Sequence, residues 1–355
     1  MSDMRAARFH TAGDVRIEDV PAPGAVAAGE LLVRVRECGI CGTDLHEYRH
    51  GPIQTRTEPH PRTGAGLPQI LGHEFSGVVE AVGPGVRKAA DGDRVAIMPQ
   101  VFCGECEACA TGYRQRCEAV AVVGLSWPWG GFAEHAIVGE DHVAVLPAEV
   151  SDAAGALVEP AAVAVHAVAS SGLQPGDVAL VTGGGPIGQL VALAAVAAGA
   201  AAVHVSEPNA GRRARAEALD TGGVIDPRAE DVAERLAAAT RGRGADVCFE
   251  CSGSQRALDA CLAAVRRGGT VIQTALHLQP VQIDADRLVM RDLTLRGVYC
   301  YPVTSWPRVI GMIAAGRLPV ERIVTGRIEL EDLVEDGFEA LLDAAGSHVK
   351  VLVRA

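Results

Sequence analysis

The sequence predicts an α/β protein in which a β-rich domain is joined to a doubly wound parallel-sheet domain. Its 355 residues exceed what one hydrophobic core usually fills, so two domains are expected, each able to bury its own core. The first 155 or so residues alternate short strands with Gly/Pro turns. After about Ser151, apolar runs alternate with Ala-rich helical segments, the pattern of a parallel sheet with crossover helices.

In chain order, VRIEDVPAP, ELLVRVREC, FSGVVEAVGPGV, GDRVAIMP and HVAVLPAEV read as strands of the first domain. VALVTGGG, AAVHVSE, DVCFECSG and GGTVIQTA read as strands of the second. From Thr294 the chain predicts a strand around TLRGVYCY and a helix from Trp306 to Gly316. RIELEDLVEDGFEALLDAAGSHVKVLV then mixes helix with a closing strand. No tandem repeat is present.

A hydrophobic content of 48% with 21% charged residues excludes a disordered chain. The net charge of -12 is spread evenly and no Lys/Arg run occurs, so neither nucleic acid nor an anionic membrane is an expected partner. The opening MSDMRAARFH lacks the apolar core of a signal peptide, and a cytoplasmic location is expected. The longest apolar stretch, Pro186 to Val205, is interrupted by Gly188, Gln189, Gly199 and His204 and suits a helix and strand better than a membrane span. Ten cysteines in a cytosolic chain point to metal binding or core burial rather than to disulfides.

Three constellations carry chemistry. In CGECEACATGYRQRC, within about 100–118, Cys103, Cys106, Cys109 and Cys117 follow C-x2-C-x2-C-x7-C. Four thiolates this close can enclose one tetrahedral ion and leave no open position, so a structural zinc is expected, with an iron–sulfur cluster as the chemical competitor. In VALVTGGGPIGQLVALAAVAAG, Gly183, Gly185 and Gly188 form G-x-G-x-x-G after an apolar strand. Pro186 and Ile187 open the helix that follows, and Glu207 closes the next strand. That context predicts a dinucleotide site: backbone amides and the helix N-terminus face the pyrophosphate, and Glu207 takes the adenosine ribose hydroxyls, which favours NAD over NADP. Arg212 and Arg213, on the next helix, weaken that preference.

The third constellation is dispersed: Cys41 in RECGICGTDLHEYRHG, His73 and Glu74 in LGHEFSG, and Glu159 in ALVEPAAVAVHAV. A Cys, a His and a carboxylate from separate segments make a three-ligand shell with its fourth position open, as catalytic zinc requires. Spacing alone leaves other readings open: His73 as a core or capping histidine, Glu159 as the start of a helix before Pro160.

ICGTDLH, GHEFSG, the four-cysteine lobe, LVEP and GGGPIG occur in one order along the whole chain, and in this the sequence resembles the zinc-dependent medium-chain dehydrogenase/reductases. EYRHGPIQTRTEPHPRTGAGLPQILGHEFSGVVE, GGFAEHAIV and LEDLVEDGFEALL are similar to the (R,R)-2,3-butanediol dehydrogenase group, near sorbitol and other polyol dehydrogenases. The resemblance implies a GroES-like catalytic domain (1–155 and 299–355) and an inserted Rossmann domain (156–298). It also implies two zinc ions per chain, NAD, and a secondary alcohol, vicinal diol or ketone as substrate. It places Cys41, His73 and Glu159 on the catalytic zinc, with Glu74 behind it, and Thr43 and His46 as a proton relay. It further implies a homodimer or homotetramer paired through the edge strand at TLRGVYCY.

Alternatives are a sugar-alcohol or aminocyclitol dehydrogenase with a bulkier substrate, and a non-catalytic zinc and nucleotide scaffold. Trp127 and Trp129 in GLSWPWGGF replace a small, Gly-rich segment of the butanediol group; they either face the substrate or pack against the zinc lobe. Tyr301 and Trp306 are further candidates for the lining. Cys38 is expected to pack in its strand, Cys248, Cys251 and Cys261 to be buried, and Cys300 to border the substrate or a subunit contact. His50 and His60 stand in the loop before GHEF, near the expected mouth of the site.

Overall fold

The computed structural model describes residues 3–355. Strand Glu30–Gly39 organises its β-rich part. The strand alternates as ELLVRVRECG, burying Leu31, Val33 and Val35 and leaving the residues between them partly or fully exposed, the two-residue period of a half-buried sheet. Each of those buried aliphatic side chains contributes about 1.5–3 kcal/mol by leaving water. The strand pairs antiparallel with Glu74–Val82, His135–Gly139 and Lys350–Arg354. Arg94–Ile97, Val143–Val145 and Val324–Glu329 complete a seven-stranded sheet. Because Leu352 and Val353 pair with Gly39 and Cys38, the last strand of the chain lies directly beside the approach to Cys41.

The second sheet has six strands in the order Gly222–Ile225, Ala202–Ser206, Val178–Thr182, Ala245–Glu250, Val265–Gln273 and Thr294–Gly297. Every pairing in it is parallel. All six residues of Ala245–Glu250 are buried, as expected of a central strand covered on both faces. Strand order reverses between Val178–Thr182 and Ala245–Glu250, the switch point at which such sheets open a crevice beyond the carboxyl ends of their strands. Cys38, Cys248 and Cys261 are buried and Cys251 is half-buried.

One apolar cluster joins the two sheets. Leu157, Ala161 and Val165 pack with Val181 and Leu190 of the parallel-sheet side and with Tyr301 and Trp306 of the returning chain. The helix expected from Trp306 to Gly316 ends at Ala314, since Gly316 adopts a left-handed φ of 68° outside it. The LEDLVEDGFEALL stretch forms a π-turn at Leu333–Glu339 before a short helix at Ala340–Leu342. No helix among the described residues is long and apolar enough to cross a membrane.

Candidate active site

Two adjoining cavities mark the site. One, of about 720 Å³, lies at the switch point and is lined by Gly183, Gly185, Glu207 and Arg212 among others. The other, of about 350 Å³, lies between the two sheets and is lined by Cys41, Thr43, His46, His73, Glu74 and Glu159, with Pro186 and Ile187 on its far wall. Gly185, Cys251 and Ser252 line both, so the cavities meet there.

The Gly-rich turn is built for close approach. A Cβ at Gly188 would overlap the Gly183 carbonyl, so only glycine lets helix Pro186–Ala197 start this near the strand end. Pro186 at the first helical turn costs no hydrogen bond, because the amides there have no intrahelical partner. Glu207 is already engaged: its carboxylate accepts from the Gly184 amide at 2.7 Å and from the Asn209 amide at 2.7 Å. Arg212 lines the cavity, but its guanidinium donates to the His348 and Leu341 carbonyls at 3.3 Å each, tying this helix to the C-terminal segment.

Cys41 caps helix Gly42–His50, and its amide donates to Asp44 Oδ2 at 2.9 Å. Thr43 and His46, three residues apart on that helix, both reach the smaller cavity. Thr43 Oγ1 is 3.7 Å from Cys41 Sγ. Burial, helped by the charge of His50, holds the His46 imidazole below its ordinary value.

Ligand atoms of Cys41, His73 and Glu74 lie within 4.8 Å of one another. His73 Nδ1 stands 3.5 Å from the buried Asp44 Oδ1, near enough for the charges to act on each other although neither atom has a hydrogen-bond partner. Burial alone would lower the His73 pKa; the Asp44 carboxylate and the Cys41 thiolate override it and hold the imidazole well above its usual range. A thiolate, an imidazole and a carboxylate at this spacing fit zinc.

Glu159 faces the same cavity but lies outside that trio, with Oε1 accepting a hydrogen bond from Tyr301 at 2.9 Å. The observed grouping therefore contains Glu74 where Glu159 was expected. Burial pushes Glu159 up to about 7, against the opposing pull of His73. Glu74 in turn is paired with the buried Lys350, whose Nζ also donates to the Ile40 carbonyl at 2.8 Å. Burial would discharge Lys350, but the Glu74 carboxylate and the Cys41 thiolate keep its pKa raised and the ammonium charged. A Cβ at Gly39 would collide with the Glu74 carboxylate, so glycine there makes room for this pair.

The sulfur atoms of Cys103, Cys106, Cys109 and Cys117 also lie within 4.8 Å of one another. Cys103 Sγ and Cys109 Sγ are 3.8 Å apart. Tetrahedral metal–sulfur bonds of about 2.3 Å give an edge of about 3.8 Å, whereas a disulfide needs about 2.05 Å. Backbone amides of Cys106 and Glu105 hold the Cys103 thiol down to about 6, while burial and the neighbouring thiols push Cys109 up to about 12, so in the metal-free lobe the negative charge gathers on Cys103.

Sequence reasoning missed Asp44, Lys350 and Gln100. Asp44 stood in plain view inside ICGTDLH; nothing local marked the other two. Trp127 and Trp129 do not line the cleft: Trp127 Nε1 donates to the Ile137 carbonyl at 2.9 Å, and both rings pack on the β-sheet core. Tyr301 is buried behind Glu159, Trp306 packs against it with ring centroids 6.0 Å apart, and Cys300 lines the cleft. Neither His50 nor His60 lines it.

Residues 27–148 match the alcohol dehydrogenase GroES-like domain and residues 186–315 match zinc-binding dehydrogenase. The chain is 38% identical over 353 residues to (R,R)-butanediol dehydrogenase of Bacillus subtilis (strain 168), covering 99% of each. It is 33% identical over 352 residues to sorbitol dehydrogenase of the same organism, covering 99% of this chain and 97% of the relative. Among solved structures, 2R,3R-butanediol dehydrogenase from Bacillus subtilis aligns with a TM-score of 0.92 at 38% identity, covering 99% of each chain. A zinc-binding dehydrogenase from Sinorhizobium meliloti 1021, bound to NADP, aligns with a TM-score of 0.90 at 31% identity, covering 100% of each.

Proposed function

The chain belongs to the zinc-dependent medium-chain dehydrogenase/reductases, oxidoreductases that act on CH–OH groups, and from this premise we propose that it exchanges hydride between NAD and a secondary alcohol or vicinal diol of the 2,3-butanediol/acetoin type. One observation carries the reading: the cleft holding Cys41, His73 and Glu74 shares a wall with the nucleotide cavity at Gly185, Cys251 and Ser252. A nicotinamide crossing that wall would meet a substrate held beside the metal ligands.

Zinc, when bound, supplies Lewis-acid polarisation that makes a hydroxyl easier to ionise near neutral pH. Cys41 and His73 hold it with a carboxylate, for which Glu74 stands at ligand spacing and Glu159 faces the same cleft. Asp44 acts on His73 through its charge, and Lys350 balances the Glu74 charge. Thr43 Oγ1 accepts a hydrogen bond from the substrate hydroxyl and gives up its own proton as it takes that hydroxyl's, and His46 is the base that carries the released proton outward. A lowered pKa keeps His46 neutral near pH 7 and able to accept.

NAD is favoured over NADP because the Glu207 carboxylate lines the adenosine end of the cavity and would repel a 2′-phosphate. The NADP-bound relative shows that the other cofactor occurs within this fold. A second, structural zinc is assigned to the four-cysteine lobe, and domain limits near 155 and 299 belong to the same reading. So do a cytoplasmic location and a homodimer or homotetramer paired along the edge strand Thr294–Gly297. A sugar alcohol remains the second reading, favoured by the sorbitol dehydrogenase relative; the tryptophans no longer argue for it, since they lie off the cleft. The intact ligand trio argues against a non-catalytic scaffold.

The test is NADH absorbance with butanediol stereoisomers, acetoin, sorbitol and cyclitols, before and after treatment with a chelator. Turnover of a 2,3-butanediol with NAD, lost on chelation and restored by zinc, is the expected result; no turnover of any of these with NAD or NADP overturns the reading. Zinc content of Glu74→Gln and Glu159→Gln, compared side by side, identifies the carboxylate ligand as the one whose loss empties the site.

A further inference from the structure

We propose that Gln100 determines specificity in this cleft, its carboxamide holding the second oxygen of a vicinal diol while the reacting hydroxyl faces Cys41 and His73; this rests on the diol reading above. Gln100 opens the short strand Gln100–Val101, which pairs with Ala121–Val122 at the root of the cysteine lobe. It is only 3% exposed, and neither Nε2 nor Oε1 has a hydrogen-bond partner in the protein. Yet it lines the same cavity as Cys41, His73 and Glu159. A buried amide carries its full desolvation penalty unless something completes it, so an orphan in a ligand cleft marks a place where a ligand atom or water belongs.

Of the other hydroxyl-bearing residues in the lining, Tyr299 is 52% exposed and Ser252 donates to Glu250, which leaves Gln100 as the buried amide without a partner. Pro99, Val122, Leu125, Val163 and Val298 are apolar, and the one lysine is committed to Glu74. Gln54 is exposed, and Thr274, whose hydroxyl is also unpartnered, bears on Cys251 at the wall shared with the nucleotide cavity. The nearby polar group is the Cys300 thiol, on which the amide bears without a hydrogen bond of ordinary geometry, and which itself feels the charges of Glu159 and His73. A thiol is a weak partner for an amide. A hydroxyl or ketone oxygen suits the neutral donor–acceptor pair of Gln100, whereas a carboxylate or phosphate would find no free cation there. A site built to bond a substrate hydroxyl discriminates strongly against the analogue that lacks it.

The experiment compares butane-2,3-diol with butan-2-ol on the zinc-loaded enzyme, wild type against Gln100→Met. The ratio of kcat/KM, diol over mono-alcohol, is expected to fall about 10- to 100-fold in the variant. The dissociation constant of the diol from the complex with reduced nicotinamide, followed by nicotinamide fluorescence, should weaken in step. If Gln100→Met does not fold, Gln100→Leu, which likewise has neither donor nor acceptor, carries the same expectation. Equal losses on both substrates, or an unchanged ratio, overturn the assignment while leaving the dehydrogenase reading in place. A wild-type enzyme that oxidises neither substrate with NAD or NADP overturns that reading and this assignment together.

Discussion

Lys350 is one of only two lysines in the chain, and it is buried against Glu74, a residue 276 positions away in sequence. A buried carboxylate robbed of its partner costs far more than the pair contributes when intact, about 3–5 kcal/mol. Lys350→Met should therefore lower the unfolding free energy, measured by urea titration, by an amount of that order, and Lys350→Arg should recover most of it; equal free energies for Lys350→Met and wild type would refute the pairing. The pH dependence has a defined sign. The folded-state pKa of Lys350 is raised above its ordinary 10.5, so its contribution is complete below the unfolded value and fades only as pH climbs through the higher folded one. The pair thus holds Glu74 in place across the neutral range in which the neighbouring His46 is neutral and able to accept a proton.

At the level of elements, the cysteine lobe has little regular structure for its length. Between the paired strands Gln100–Val101 and Ala121–Val122 it contains only the four-residue helix Glu107–Ala110 and one 3-10 turn at Arg114–Arg116. Residues 102–120 contribute no side chain to any of the apolar core clusters, so under the zinc reading four thiolates on an ion supply the cohesion that a core supplies elsewhere. Cys106→Ser should cut zinc from two ions per chain to one and expose Arg114 and Arg116 to trypsin. Elemental analysis with limited proteolysis checks this, and a lobe still resistant in the one-zinc protein would show that it folds without its metal. Because Gln100 stands at the root of this lobe, its loosening should also blunt discrimination among substrates.

For the whole molecule, the six-stranded sheet ends at Thr294–Gly297 without a further strand among the described residues. On helix Ala285–Arg291, just before that edge strand, Val289 is 80% exposed and Met290 70%, apolar surface of the kind that a second copy of the chain would cover. If the chain pairs through this edge as proposed, Val289→Asp with Met290→Asp should shift the sedimentation coefficient toward that of a single chain; an unchanged value would refute that pairing. The apolar cluster that joins the two sheets through helix Val158–Ser171 keeps the metal cleft and the nucleotide cavity in register, which a flexible linker would not do.

What could be read from the sequence was whatever depends on near neighbours. The two-residue alternation of ELLVRVREC, the glycine spacing before helix Pro186–Ala197 and the close-set cysteines of the lobe each encode their geometry within about twenty residues. What local spacing could not yield was the arrangement that depends on residues meeting across the fold. The sequence did not show that Lys350 would reach Glu74, that Tyr301 would hold Glu159 from 142 positions away, that Gln100 would be left unpaired in the cleft, or that Trp127 and Trp129 would turn into the sheet. Sequence by itself determined the fold class and the chemical kinds of side chain available for a metal and a dinucleotide. Tertiary structure decided which carboxylate stands at ligand distance and which polar groups remain free for substrate, because both follow from packing between segments that spacing along the chain does not encode.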